Sequence, residues 1–302
     1  MQRFPLLTLF FVFLAISIAA SLNAEPPKSF ELPLWEKGAP GANGNEAKDI
    51  PMAKVRLPSS EKPTGALIIC PGGGYGNLAM GHEGQEIAEW ANEMGLAAII
   101  CDYRHRGKGY GHPAPLQDAQ RTIRMVRTNA KEWNVDPAKV GIMGFSAGGH
   151  LVSTVLTRFA SGDPTNADPI EHESSRPDYG ILAYPVILFG QPGTHKGSEK
   201  NLLGESPAPK LVESFQSDLN VTKDTPPTFL FHTLEDKGVV PQNSVAFFAA
   251  MLRNGVSGEL HVFEKGSHGK GLAKTIQGTS EWPNVCRRWL EGKQFVTPNA
   301  QK

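Results

Sequence analysis

The sequence predicts an α/β fold with a mostly parallel central sheet and helices on both of its faces. Short apolar runs alternate with amphipathic segments, which is the pattern of repeated strand and helix units. The apolar runs are nearly continuous, as expected for strands covered on both faces. With 302 residues, of which 40% are hydrophobic, the chain is long enough for one large domain, which we place over residues 25–302.

Six apolar segments are predicted to form the strands of this sheet. They cover residues 65–70, 96–103, 139–145, 179–186, 228–233 and 259–264. Cys70 and Cys101 close two of these runs and are predicted to be small buried side chains on neighbouring strands. Cys286 makes the number of cysteines odd, and no CxxC motif is present, so neither a disulfide framework nor a cysteine metal site is expected.

Helical patterns separate the strands. Between 116 and 133, apolar residues recur every three or four positions while the arginines fall elsewhere, which gives one apolar stripe for packing on the sheet. A second helix covers 86–94 and ends at Gly95, a residue type favoured at helix C-termini. Segments 162–177 and 191–227 are predicted surface loops, the second with room for a short helix. In an open α/β sheet such loops can overhang the carboxyl ends of the strands, where ligands bind, and we expect a small cap or none at that edge.

The N-terminus has the pattern of a secretory signal peptide over residues 1–24. Arg3 supplies a positive charge, a 16-residue apolar run follows, and small residues precede a cleavage point at Ala24. The run is shorter than the ~20 residues needed to span a bilayer, which favours cleavage over a retained membrane anchor. We therefore expect a secreted or periplasmic protein without stable membrane insertion after cleavage.

The charge balance argues against polyanionic partners. Thirty basic and thirty acidic residues give a formal net charge of +0, without the basic surplus typical of proteins that bind nucleic acid or anionic membranes. Nucleic acid is therefore not an expected partner.

Residues 140–151, VGIMGFSAGGHL, place a serine between glycines where a strand passes into a helix. In the pattern G-x-S-x-G, Gly144 and Gly148 leave room for a strained turn that lifts the Ser146 hydroxyl clear of the backbone. The preceding segment is a predicted strand and the following one can begin a helix, which is the context of a nucleophile elbow. Ser146 is therefore a candidate nucleophile.

A serine nucleophile needs a base and usually a carboxylate, and both are expected later in the chain. Asp236 follows one predicted strand, and His268, flanked by glycines, follows the next. Both loops open at the same edge of the sheet as Ser146, in the order Ser, Asp, His. Glu235 adjoins Asp236 and is the alternative acid. Three other histidines are interpreted as hydrogen-bonded packing residues: His150, His232 and His261.

The glycine-rich segment PGGGYGNLA, residues 71–79, follows the first predicted strand. Consecutive glycines let backbone N–H groups face a cavity without side chains in the way. Gly73 and Gly74, together with the amide of Ala147, are therefore the candidate oxyanion hole. A plain glycine-rich turn is the alternative interpretation.

Two other motifs compete with a serine mechanism. Residues 74–79, GYGNLA, fit a dinucleotide-binding pattern, with Asp102 at a later strand as the ribose ligand. That interpretation leaves the Ser, Asp and His pattern unexplained and places a nicotinamide enzyme in an exported chain. Residues 82–86, HEGQE, lack the second histidine of a zinc-binding H-E-x-x-H motif. No metal and no cofactor are therefore expected.

With these motifs established, the sequence resembles the α/β-hydrolase esterases of the group that contains bacterial acetyl xylan and feruloyl esterases. The resemblance spans nearly the whole chain after residue 24. It rests on LWEKGAPGA, PGGGYGNLA, HPAPLQDAQRTIRMVRTNAKEW, GFSAGGHL, YPVI, HTLEDKGVVPQNS and ELHVFEKGSHG, in this order. The resemblance implies Ser146 as nucleophile, Asp236 as acid, His268 as base and the PGGG amides as oxyanion donors. EDKGVVP has one residue more after the acid than many relatives, and KGSHGKG replaces a commoner GGHG form.

The expected function is that of an exported serine esterase that removes acetyl groups from plant or algal polysaccharide. Its substrate is then an acylated carbohydrate or a small ester. A feruloyl esterase, a general small-ester carboxylesterase and a dipeptidyl-peptidase-like hydrolase remain alternatives. A catalytically silent carbohydrate-binding protein on the same fold is the alternative from a different class. The sequence has no long apolar lid segment, which argues against an interfacial lipase.

Overall fold

The computed structural model describes residues 28–297, which form one eight-stranded sheet with helices packed against it. The predicted signal peptide lies outside these residues. The strands, β1 to β8, cover Lys28–Pro33, Met52–Leu57, Thr64–Cys70, Ala97–Asp102, Val135–Phe145, Tyr179–Ala183, Thr228–Thr233 and Gly258–Phe263. Their order in the sheet is β1-β2-β4-β3-β5-β6-β7-β8. Strands β3 to β8 pair in parallel, whereas β2 pairs antiparallel with both β1 and β4. The prediction of a mostly parallel sheet is confirmed.

All six predicted strands are present; 228–233 coincides with β7, and the other five have shifted ends. Strand β5 begins at Val135 instead of 139, and β6 ends at Ala183 instead of 186. The predicted strand 259–264 corresponds to β8, and the expectation that it is covered on both faces was wrong. Its residues are partly or fully exposed because β8 lies at the edge of the sheet.

Strands β1 and β2 were not predicted. In β2 the buried side chains alternate with half-buried ones, and the inward set is Ala53, Val55 and Leu57. Antiparallel strands commonly show this alternation, because one face packs on the core and the other faces solvent. Such strands contain no continuous apolar run that would mark them in the sequence.

The helices lie on both faces of the sheet, as predicted. Helices α1 to α7 cover Glu86–Glu93, Ala114–Thr128, Ser146–Thr157, Lys196–Leu203, Pro209–Ser214, Gln242–Arg253 and Trp282–Gly292. The apolar sides of α2, α3 and α6 belong to one hydrophobic core, and those of α1 and α7 belong to the core on the opposite face. Helix α2 ends at Thr128, before the predicted end at 133. Trp133 is still buried, because the apolar stripe continues into the turn after the helix.

The remaining predictions about the scaffold concern the cysteines and the loops. Cys70 and Cys101 are buried on the neighbouring strands β3 and β4, as expected. The segment 191–227 carries two short helices, α4 and α5. In α4, the Asn201 side-chain amide donates to the Gly74 carbonyl at 2.8 Å, which attaches the helix to the glycine-rich loop after β3. Within residues 28–297, no helix combines the length and the apolar character needed to cross a membrane.

Candidate active site

The turn between β5 and α3 places Ser146 where the strand ends and the helix begins. Ser146 has a φ of 53°, in the left-handed region that strains a residue other than glycine. A Cβ atom at Gly144 would overlap the Gly148 carbonyl, and one at Gly148 would overlap the backbone of Cys70 and Pro71. The two flanking glycines are therefore required by close approach of the backbone.

Ser146, His268 and Asp236 lie in a hydrogen-bonded row. The Nε2 atom of His268 is 2.7 Å from the Ser146 Oγ atom, and its Nδ1 atom is 2.7 Å from Asp236 Oδ2. The residues come from the loops after β5, β7 and β8, which meet at one edge because these strands are parallel. A carboxylate accepts hydrogen bonds, so Nδ1 carries the imidazole proton and the Nε2 lone pair faces the serine hydroxyl.

The Asp236 carboxylate is buried and fully occupied. Its Oδ1 atom accepts hydrogen bonds from the N–H groups of Gly238 and Val239, each at 2.9 Å. Oδ2 contacts His268 and also lies 3.4 Å from His232 Nε2. Burial by itself raises the pKa of Asp236, but contacts with His232, His268 and the Val239 amide outweigh it and hold the pKa below its ordinary range. The carboxylate therefore stays charged beside His268 at neutral pH.

Glu235, the alternative acid, faces a different partner. Its carboxylate binds Lys265 Nζ at 3.1 Å and accepts the N–H of Gly266 at 2.9 Å. No hydrogen bond joins it to His268 within residues 28–297. Glu235 instead holds the start of the loop that carries His268.

The candidate oxyanion donors lie at the same edge. Gly73 and Gly74 have φ values of 130° and 62°, and neither amide donates a hydrogen bond to another residue in 28–297. The Gly72 amide, in contrast, is occupied by Glu83 Oε2 at 2.8 Å. Ala147 is in the first turn of α3, where backbone N–H groups have no partner within the helix. The amides of residues 73, 74 and 147 are therefore available to an anionic oxygen.

The other histidines differ in their surroundings. His150 is fully buried, and it interacts with the Tyr75 hydroxyl and the Phe215 carbonyl, each at 2.9 Å, as predicted for a packing residue. His232 is also buried and bonded, but it additionally touches Asp236. His261 lies partly exposed on the edge strand β8, so the description as a packing residue suits it less well.

The burial of His150 predicts that acid destabilises the protein. Burial lowers the pKa of His150 from 6.5 to about 4, so the unfolded chain takes up a proton across this interval and the folded protein does not. Stability contributed by the neutral imidazole is therefore present above pH 6.5 and is lost as the pH falls toward 4. We expect the free energy of unfolding to fall by about 2–3 kcal/mol between pH 7 and pH 4.5 through this residue.

Urea unfolding of the wild type and of His150→Gln at several pH values measures this effect. The glutamine retains a donor and an acceptor but does not titrate, so its stability curve should be flatter by about this amount. If the free energy of unfolding fell with pH equally in the two proteins, His150 would not be the cause of the acid destabilisation.

Glu83 and Tyr184 were not identified from the sequence as parts of the site. Glu83 Oε1 accepts the Tyr184 hydroxyl at 2.8 Å, and that hydroxyl accepts the N–H of Gly271 at 2.9 Å. In the sequence, Glu83 belongs to HEGQE, residues 82–86, which is an incomplete zinc-binding motif. Its partner Tyr184 is 101 positions away, so no local pattern marks the pair.

The dinucleotide-binding alternative does not fit the local structure. Residues 74–79 form turns and bends instead of opening an α-helix, and a π-helical turn over Gly81–Gln85 follows them. Asp102 is paired with Lys108 Nζ at 2.5 Å. The glycine-rich loop therefore lacks the helix N-terminus on which a pyrophosphate would rest.

A mostly parallel sheet with a serine on a strand-to-helix turn, and with Asp and His following in chain order at the same edge, defines an α/β hydrolase. The chain belongs to the BD-FAE family, whose model matches residues 54–251, more than half of the sequence. The match includes Ser146 and Asp236 and ends before His268.

Two curated relatives are similar over much of the chain. An acetylxylan esterase from Xylanibacter ruminicola is 33% identical over 283 residues, which are 91% of this chain and 53% of that protein. Endo-1,4-beta-xylanase B from Butyrivibrio fibrisolvens is 33% identical over 226 residues, 74% of this chain and 35% of that protein. The chain thus spans about half of the first relative and about a third of the second.

Solved structures show the same fold. An acetyl ester-xyloside bifunctional hydrolase from Caldicellulosiruptor lactoaceticus is 42% identical, with a TM-score of 0.86 over 90% of this chain and 98% of that one. A carboxylesterase from Lactobacillus plantarum is 24% identical, with a TM-score of 0.71 over 91% of this chain and 100% of that one. The second likeness concerns the fold alone. The predicted α/β-hydrolase fold is confirmed.

Proposed function

We propose that this chain is a serine carboxylesterase in which Ser146, His268 and Asp236 form the catalytic triad. The observation that carries the proposal is the pair of 2.7 Å hydrogen bonds that joins His268 to the other two side chains. The names of the acetylxylan esterase and of the acetyl ester-xyloside hydrolase support ester hydrolysis as the reaction. A carbohydrate-binding protein without activity has no need for this arrangement.

In the proposed reaction, His268 Nε2 takes the Ser146 hydroxyl proton as Oγ attacks the ester carbonyl carbon. The carbonyl oxygen becomes an oxyanion and accepts hydrogen bonds from the amides of Gly73, Gly74 and Ala147. The imidazolium formed on His268 is stabilised by the charged Asp236 and returns the proton to the leaving alcohol. Water then attacks the acyl-serine in the same way, which releases the acid and restores the serine.

We propose acetylated xylan or its oligosaccharides as the substrate. Two relatives carry acetyl esters of xylan or of a xyloside in their names, and both are at least 33% identical to this chain. In residues 28–297, the helix that contacts the glycine-rich loop beside the serine is the short α4, through Asn201 and the Gly74 carbonyl, which is compatible with a bulky polysaccharide substrate. Feruloylated xylan and simple esters are the competing substrates.

Product analysis on native xylans tests this choice. We expect release of acetate from acetylated xylan and little release of ferulate from feruloylated arabinoxylan, measured by chromatography with p-nitrophenyl acetate as a reference substrate. Release of ferulate without acetate would identify a feruloyl esterase. Hydrolysis of the reference ester and of neither polysaccharide would identify a general carboxylesterase.

A further inference from the structure

Glu83 is a buried carboxylate that the proposed mechanism does not use. Its side chain is 3% exposed, and both of its oxygens are bonded. Oε2 accepts the N–H of Gly72 at 2.8 Å, and Oε1 accepts the hydroxyl of Tyr184 at 2.8 Å. Gly72 directly precedes the candidate oxyanion amides of Gly73 and Gly74. One oxygen of Glu83 therefore holds the glycine-rich loop in place.

Tyr184 connects the other oxygen to the loop of His268. The tyrosine hydroxyl accepts the Gly271 N–H at 2.9 Å, and its ring packs edge-on against the His268 imidazole with centroids 5.1 Å apart. Tyr184 has a φ of 36°, which a tyrosine adopts only where its surroundings enforce it. A Cβ at Gly271 would overlap the His82 carbonyl, so the loop lies directly on the turn that carries Glu83.

The two donors suit a carboxylate at this position. A backbone N–H can only donate, and the Tyr184 hydroxyl, which accepts from Gly271, directs its proton to Glu83 Oε1. Burial and then the charge of Glu83 raise the pKa of Tyr184 well above its ordinary value, so the hydroxyl keeps that proton. Both oxygens of residue 83 therefore accept, and a glutamine, with one oxygen and one NH₂ group, cannot reproduce both contacts unless the Tyr184 hydroxyl turns its proton away.

Within residues 28–297, the buried Glu83 carboxylate has two neutral donors and one ion-pair contact. The ion-pair contact is with the half-exposed His82, whose Nε2 is 3.7 Å from Oε1. A buried charge with so little pairing is a poor way to stabilise a fold, because an apolar side chain avoids the desolvation cost. Its contacts with the loops of the oxyanion amides and of the base point to a role in catalysis.

We propose that Glu83, acting directly on the glycine-rich loop and through Tyr184 on the loop of His268, is a positioning residue that fixes the distance between the oxyanion amides and the catalytic base. This inference rests on the proposed esterase function. In the transition state, the amides hold the oxyanion while His268 transfers the proton, so both must be placed correctly at once. A displacement of about 1 Å can cost about 100-fold in rate. Binding of a small ester in the ground state does not require this alignment.

The test compares Glu83→Gln and Tyr184→Phe with the wild type on p-nitrophenyl acetate. Rates are expressed per active site, counted by titration with a fluorophosphonate. We expect kcat to fall about 10–100-fold in each variant while KM stays within about threefold. The kcat of the double variant should be little lower than that of the more damaging single variant, because both changes interrupt the same connection.

Glu86→Gln is the matched control. Glu86 lies three positions along the same helical segment, but it is only half-buried and is paired with Lys274 at 2.7 Å. Its kcat should equal that of the wild type.

Variants of Glu83 and Tyr184 with normal kcat per active site and only a lower melting temperature would overturn the proposal, since the network would then serve stability alone. Tyr184→Phe removes only the hydroxyl oxygen and is the smaller change. If Glu83→Gln does not fold, the kcat of Tyr184→Phe alone tests the proposal. A wild-type protein that neither hydrolyses the ester nor reacts with the fluorophosphonate would overturn the proposed function, and this inference with it.

Discussion

Ser146→Ala is expected to lower kcat by about 10⁴-fold or more and to leave thermal stability nearly unchanged. The substitution removes the oxygen that attacks the ester, and no other hydroxyl lies within hydrogen-bond reach of His268 in residues 28–297. The Cβ atom remains, so the left-handed turn at this position keeps its substituent. The structure loses one hydrogen bond at a largely buried site, which is worth about 1 kcal/mol.

Initial rates on p-nitrophenyl acetate and thermal melts measure both parts of this prediction. Ser153→Ala is a matched control, because Ser153 is a buried serine on the same helix whose hydroxyl bonds the His150 carbonyl and Ser217. It should retain its activity per folded molecule. More than about a tenth of wild-type activity in Ser146→Ala would show that another group is the nucleophile.

Asp236→Asn is expected to lower kcat by about 10³–10⁴-fold. Oδ1 accepts hydrogen bonds from the amides of Gly238 and Val239, so the carbonyl oxygen of an asparagine must occupy that position. The asparagine NH₂ group then faces His268 Nδ1 and donates to it. The imidazole proton then sits on Nε2, and Nε2 can no longer accept the proton of Ser146.

Glu235→Gln is the control for this change, and its kcat should stay within about threefold of the wild type. A glutamine oxygen can still accept the N–H of Gly266, and the lost ion pair with Lys265 is exposed. The two variants are compared by kcat at neutral pH. If Glu235→Gln were the more damaging substitution, the acid of the triad would be at position 235.

The sequence was informative about the site where short-range patterns coincide with strand ends. Ser146, Asp236 and His268 each follow an apolar run, and parallel strands bring the loops at their carboxyl ends to one edge. The order of these three residues along the chain therefore predicts that they lie close together. The choice between Asp236 and its neighbour Glu235 could only be stated as a preference, because adjacent residues point in different directions.

Other features depend on contacts that no local pattern encodes. Three consecutive glycines could not reveal that the Gly72 amide is occupied by Glu83 while the next two amides are not. The link from Glu83 to Tyr184 joins the turn before α1 to the end of β6, across 101 positions. Strand β2 escaped prediction because its apolar residues alternate with half-buried ones.

Covalent labelling tests the central claim most directly. A fluorophosphonate reacts with a serine whose hydroxyl is activated by a neighbouring base, and the modified residue is identified by peptide mass spectrometry. We predict one label per molecule, on Ser146, with no label on Ser146→Ala and much slower labelling of Asp236→Asn. Labelling of a different residue, or an active esterase that takes up no label, would contradict the assignment of Ser146, His268 and Asp236 as the catalytic triad.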